Sequence, residues 1–184
     1  MSKIICLLFK LLYALKMYMD FTEAAKGSGF MLTNMECESW DKEFVYFSLC
    51  QVEKRSQILS VLNARATLRK TASDIKANVK LLRKLNRIYQ PFLYDDFIDV
   101  CGLLANMDDK RQIFWSSITP VITKHTNVNH SCPYYPQDIV AHNFSHDAGY
   151  ASLLPIPKGK YRVQVIFWVN GVKRCKINIY SEKF

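Results

Sequence analysis

Nowhere does this sequence contain the ~20 uninterrupted apolar residues that a membrane-crossing helix requires. It also has no glycine-rich phosphate loop, no G-x-S-x-G elbow and no C-x-x-C pair. These absences remove the usual sequence grounds for a nucleotide-phosphate site, a serine hydrolase, a zinc ribbon or a thioredoxin-type centre. No zinc-finger, KH or RRM signature accompanies the basic residues, so a nucleic-acid partner is not expected. Internal repeats and low-complexity tracts are missing as well.

What is present describes one packed domain. The 184 residues are 49% hydrophobic and 13% aromatic, far from the composition of disordered chains and long enough to bury a single core. The formal net charge is +9. The densest basic run, Arg65, Arg69, Lys70, Lys76, Lys80, Arg83, Lys84 and Arg87, is interleaved with apolar residues at strand spacing, which places these cations on the wet face of a sheet.

Met1 to Leu15 sets Lys3 before an apolar run, and a polar stretch follows to Ala24-Ala25-Lys26-Gly27. Although Lys10 and Lys16 interrupt it, this pattern reads as a secretory signal over residues 1–25, leaving 26–184 as one extracellular domain. Of six cysteines, Cys6 would leave with the signal. Cys37, Cys50, Cys101, Cys132 and Cys175 remain, an odd set that in an oxidising compartment implies two bridges and one thiol, or an intermolecular pair. Two sequons, Asn129-His130-Ser131 and Asn143-Phe144-Ser145, fit the same route as glycosylation acceptors.

The dominant periodicity is two. Leu62, Ala64, Ala66 and Leu68 alternate with Val61, Asn63, Arg65 and Thr67; Ile75, Ala77, Val79 and Leu81 oppose Lys76, Asn78 and Lys80. Tyr161, Val163, Val165 and Phe167 repeat the pattern, and Ile177 and Ile179 complete it. Turn signals stand at Gly27-Ser28-Gly29, at Pro155 to Gly159 and at Asn170-Gly171. Asn-Gly suits the positive φ of a type I′ turn, so a terminal hairpin pairs Tyr161–Val169 with Val172–Tyr180. One segment departs from period two: Ile113, Phe114, Ile118, Val121 and Ile122 recur at helical spacing, predicting a helix over 108–124 that Pro120 kinks or ends.

Two clusters have the right elements for chemistry but not the right pattern. His125, His130, Cys132, His142 and His146 are irregularly spaced and match no metalloprotease or cysteine-protease signature, so no metal site is expected. Asp95, Asp96 and Asp99 fall in a strand-like run from Tyr94 to Cys101 that sends Asp95 and Asp96 to opposite faces, which argues against a glycosidase pair. No catalytic residue and no cofactor are expected.

Four motifs then occur in order: Tyr89-Gln90-Pro91-Phe92-Leu93-Tyr94, Asp99-Val100-Cys101, Asn127 to Tyr134 and Leu154 to Tyr161, with Thr33 to Ser39 ahead of them. Together they resemble the insect family called domain of unknown function 1091, DUF1091, over roughly residues 30 to 180. That family is related to the MD-2-related lipid-recognition proteins, and some members are linked to chemosensation of contact pheromones. The resemblance implies a secreted, all-β, immunoglobulin-like antiparallel β-sandwich that holds a lipid, fatty acid or hydrocarbon between its sheets, and no enzyme. It pairs Cys101 with Cys132 and marks Cys37 as the family's first cysteine, with Cys50 and Cys175 competing as its partner. Where the family favours Asn-Gly this chain has Arg87-Ile88, which removes the usual support for a tight turn before Tyr89.

Inward-facing candidates for lining the ligand space are Leu62, Ala64, Val79, Leu81, Phe92, Phe97, Val163, Val165 and Phe167. The alternative is an extracellular interaction module with a solid core, whose basic face docks an acidic receptor or membrane-protein partner.

Overall fold

The computed structural model describes residues 30–56, 59–106, 113–145 and 156–184, with side chains left undescribed at 113–118. The expected signal, the Gly27-Ser28-Gly29 turn, His146 and the side chain of Trp115 lie outside these residues. Eight strands run in order: β1 (Phe30–Ser39), β2 (Val45–Lys54), β3 (Ser60–Leu68), β4 (Ile75–Leu85), β5 (Ile88–Asp99), β6 (Gln137–Ser145), β7 (Gly159–Val169) and β8 (Val172–Lys183). Two helices, α1 (Val100–Ala105) and α2 (Ile113–His125), stand between β5 and β6.

The strands form two antiparallel sheets, β1-β8-β7-β4-β5 and β2-β3-β6, so the half-buried strands expected from period two and the sandwich implied by the resemblance are what the described residues adopt. The terminal hairpin forms as predicted. Val169 pairs with Val172, and Asn170 and Gly171 take φ of 51° and 76°, the left-handed values that an Asn-Gly turn tolerates. Asn170 also reaches outside its own hairpin. Its side chain accepts from the amides of Ser73 (2.9 Å) and Asp74 (3.1 Å) and donates to the carbonyl of Thr71 (2.9 Å), holding the link between β3 and β4.

Three local expectations need correction. A tight turn does precede Tyr89: Leu85 pairs with Ile88, and Asn86, at φ 57°, supplies the left-handed residue in place of glycine. The strand-like run from Tyr94 ends at Asp99 instead of Cys101, because the Asp99 carboxylate accepts from the Gly102 amide at 3.0 Å and caps α1. A Cβ at residue 102 would come within 2.8 Å of that carboxylate, so the cap depends on glycine. The helix expected over 108–124 is described from Ile113 to His125, residues 108–112 lying outside the described ones, and it does not end at Pro120.

Two buried clusters join the sheets. One gathers Leu32 and Met35 of β1 with Leu62 of β3, flanked by Val52, Ala64, Phe144, Ile177 and Ile179. The other gathers Phe44, Val45 and Leu68 with Val169, Cys175, Leu104 and Tyr134, flanked by Phe167. Both disulfides lie at these joints. Cys37–Cys50 bridges β1 to β2 and so links sheet to sheet, and Cys101–Cys132 ties the first turn of α1 to the loop before β6. Among the described residues, Cys175 is the remaining thiol. It is buried, and burial pushes its pKa up to about 12, which leaves it a small apolar core residue and not a reactive group.

Candidate functional site

The five-stranded sheet is wider than its partner by two strands, roughly 10 Å at normal strand spacing. Because Cys37–Cys50 anchors the narrow sheet at the β1 edge, the surplus width falls at β4 and β5. The inner residues there follow from register: Val79 pairs with Val165, Leu81 with Val163 and Ala77 with Phe167. Val79, Leu81, Val163 and Val165 stay half-buried, and among the described residues they belong to neither core cluster. Four branched aliphatic side chains thus form a continuous apolar plate on the sandwich side of the sheet.

The other lining candidates separate. Leu62 is fully buried, and Ala64 and Phe167 pack against the clusters, so these three help close the sandwich. Phe92 is half-buried at the β5 edge, its ring 5.9 Å from that of Tyr161. Phe97 is a correction. It pairs with Asn78 on the outer face, is 53% exposed and meets the ring of Trp168 edge-on at 6.5 Å. The physical reason is register: beyond the irregularity between Pro91 and Asp95, Phe97 falls opposite Asn78 on the outer face.

Arg83 also moves from its expected place. It continues the inner row Ile75, Ala77, Val79, Leu81, and pairs with Tyr161, so it lies at the end of the plate and not on the wet face. One terminal nitrogen donates to the carbonyl of Lys158 at 3.2 Å, and the guanidinium sits 5.7 Å from the centre of the Phe92 ring. Its Nε is buried with no hydrogen-bond partner. Lys183 pairs with Gly159 and likewise faces inward, beyond Ile177, Ile179 and Ser181. A strict period-two count carried past Leu81 and Ile179 would have found both cations.

The outer face of the same sheet carries several polar side chains that bond to one another. Glu36 accepts from the Tyr180 hydroxyl (2.7 Å) and from Asn178 (3.2 Å), and these bonds, the tyrosine's first, hold its carboxyl below the usual range. Hydrogen bonds from Lys80 and Asn78 lower Asp95 in the same way. Asp96 accepts from the Tyr94 hydroxyl and Asp99 caps α1, so the three aspartates form no working pair. His130 stacks on Tyr134, and His125 meets the Phe144 ring. Among the described residues no three His, Cys, Asp or Glu side chains gather as a metal site. None of the described helices is long and apolar enough to cross a membrane.

A two-sheet antiparallel sandwich with an apolar inner plate is thus the class of protein this chain forms. Residues 77–163, which carry the PFLY, NHSCPY and LPIPKGKY motifs, match the family described as protein of unknown function (DUF1091). One solved structure that aligns is a Niemann-Pick type C2 protein from Japanese carpenter ant, 8% identical, covering 84% of this chain and 92% of that one at a TM-score of 0.33. No curated protein matches.

Proposed function

We propose that this chain is an exported binding protein that holds an apolar ligand against the inner plate of its wide sheet and catalyses nothing. The observation that carries this is the half-buried quartet Val79, Leu81, Val163 and Val165, which faces the sandwich interior outside both core clusters. Apolar surface in that position gains about 25 cal/mol for each Å² a nonpolar guest removes from water, before ordering costs. Two disulfides fit an oxidising compartment, and residues 1–25 would act as the export signal. Asn129 and Asn143 are exposed and would carry glycans. The ligand class is lipid, fatty acid or hydrocarbon, and the biological setting is chemosensory.

Native mass spectrometry of insect-expressed protein should find a co-purified apolar molecule. Val79→Glu with Val165→Glu should weaken binding of an apolar fluorescent probe by roughly tenfold or more, because each places a carboxylate on the plate. Ile166→Glu, on the opposite face, should leave it unchanged. Trp168 is unsuited as a quenching reporter, because it faces outward. If no molecule co-purifies and no probe binds, the carrier is rejected in favour of a solid module that docks an acidic receptor.

A further inference from the structure

The inner face of the wide sheet is uniform except at one end. Along β4, β7, β8 and β1 the inward positions are aliphatic, aromatic, cysteine or small polar residues, and the charged ones are Arg83 and Lys183. Both stand at the same end. Arg83 pairs with Tyr161, Tyr161 pairs with Ser181, and Lys183 pairs with Gly159, two residues further along each strand. No carboxylate occupies an inward position on these four strands.

A buried guanidinium nitrogen without an acceptor is costly, because the lost hydration is not replaced. Arg83 meets that description at Nε, and its Lys158 contact uses a different nitrogen. The Phe92 ring lies against the guanidinium, and Gly159 lies beside it, close enough that a Cβ there would be in ordinary van der Waals contact with Nε at 3.6 Å. The guanidinium is therefore bordered by Phe92 and Gly159, with its Nε unpaired at the end of the plate.

We infer that the ligand is a long-chain amphipathic acid, whose tail lies along Val165, Val79, Val163 and Leu81 and whose carboxylate is received by Arg83. This rests on the carrier reading above and narrows it from any apolar molecule to one with an anionic head. A planar guanidinium suits a carboxylate because two parallel N–H donors can meet its two oxygens. A plain hydrocarbon would leave the buried Nε of Arg83 still unmet.

Binding of palmitate, methyl palmitate, hexadecane and a lysophosphatidic acid to the full-length protein as expressed tests this. Palmitate should bind about tenfold or more tighter than its methyl ester, the span of one charge-assisted hydrogen bond. Arg83→Met, which keeps the stem against Phe92, should abolish that preference while the circular dichroism spectrum stays unchanged. Arg83→Lys should keep part of it. Equal binding of acid, ester and alkane by the unmodified protein overturns the head-group inference but leaves the carrier intact. A preference that survives Arg83→Met overturns it too, as does a preference for lysophosphatidic acid over palmitate. No binding of any of the four removes the carrier reading and this inference together.

Discussion

Asn170 shows how much one side chain can decide. It occupies a left-handed position in the last hairpin and makes three hydrogen bonds to the segment Thr71–Asp74, about a hundred residues away in sequence. Asn170→Ala should lower unfolding free energy by about 1–3 kcal/mol in urea titration, because backbone amides lose their acceptor and a Cβ residue without the asparagine side chain must hold a positive φ. Asn170→Gly should recover the backbone part alone. The outer carboxylates Glu36, Glu38 and Asp95 make a pH prediction. Hydrogen bonds from Tyr180, Lys176 and Lys80 respectively are the first cause of each depressed pKa. A carboxyl whose folded pKa is depressed adds stability above its unfolded value and loses it as pH falls through the folded one. The thermal midpoint should therefore decline below about pH 4, and Glu36→Gln should make that decline shallower.

At the scale of elements, the helical region is held by a covalent tie. Cys101 and Cys132 are 31 residues apart, and the loop they close contains both helices. Chain entropy assigns such a closure roughly 3–4 kcal/mol. Replacing both cysteines with alanine should lower stability by about that amount, read as a shifted denaturant midpoint. The paired amide bonds between Ala72 and Tyr134, at 2.8 Å and 2.9 Å, hold the same loop against the β3–β4 link and should keep the variant folded. Cys37–Cys50 acts differently: it spans 13 residues but crosses from one sheet to the other, so it sets which edge the narrow sheet covers.

For the whole molecule, the consequence of unequal sheets is an inner face only partly used for packing. A ligand that binds the folded chain alone stabilises it by RT ln(1 + [L]/Kd), about 2.7 kcal/mol at a hundredfold excess over Kd. For a domain of this size that corresponds to a rise of several degrees in thermal midpoint. Calorimetry with a bound apolar ligand should detect the shift, and the Val79→Glu, Val165→Glu variant should lose it.

Local pattern in the amino-acid sequence determines a good part of this molecule. Period two places β3, β4, β7 and β8, because alternation of Leu, Ala and Val with Lys, Asn and Arg has one stable use, a half-buried strand. Asn170-Gly171 places the last turn for the local reason that both residues tolerate positive φ. The motifs place the family and the Cys101–Cys132 pair. Other features depend on contacts that no local pattern records. Cys37 takes Cys50 over Cys175 because β2 lies across from β1, while Cys175 sits on the adjacent strand of the same sheet, opposite Ser39. The outward turn of Phe97 follows from the register of β5 beyond its irregularity, which pairing partners set. Among the described residues, the half-buried plate follows from five strands facing three, a difference in strand number that tertiary assembly alone decides.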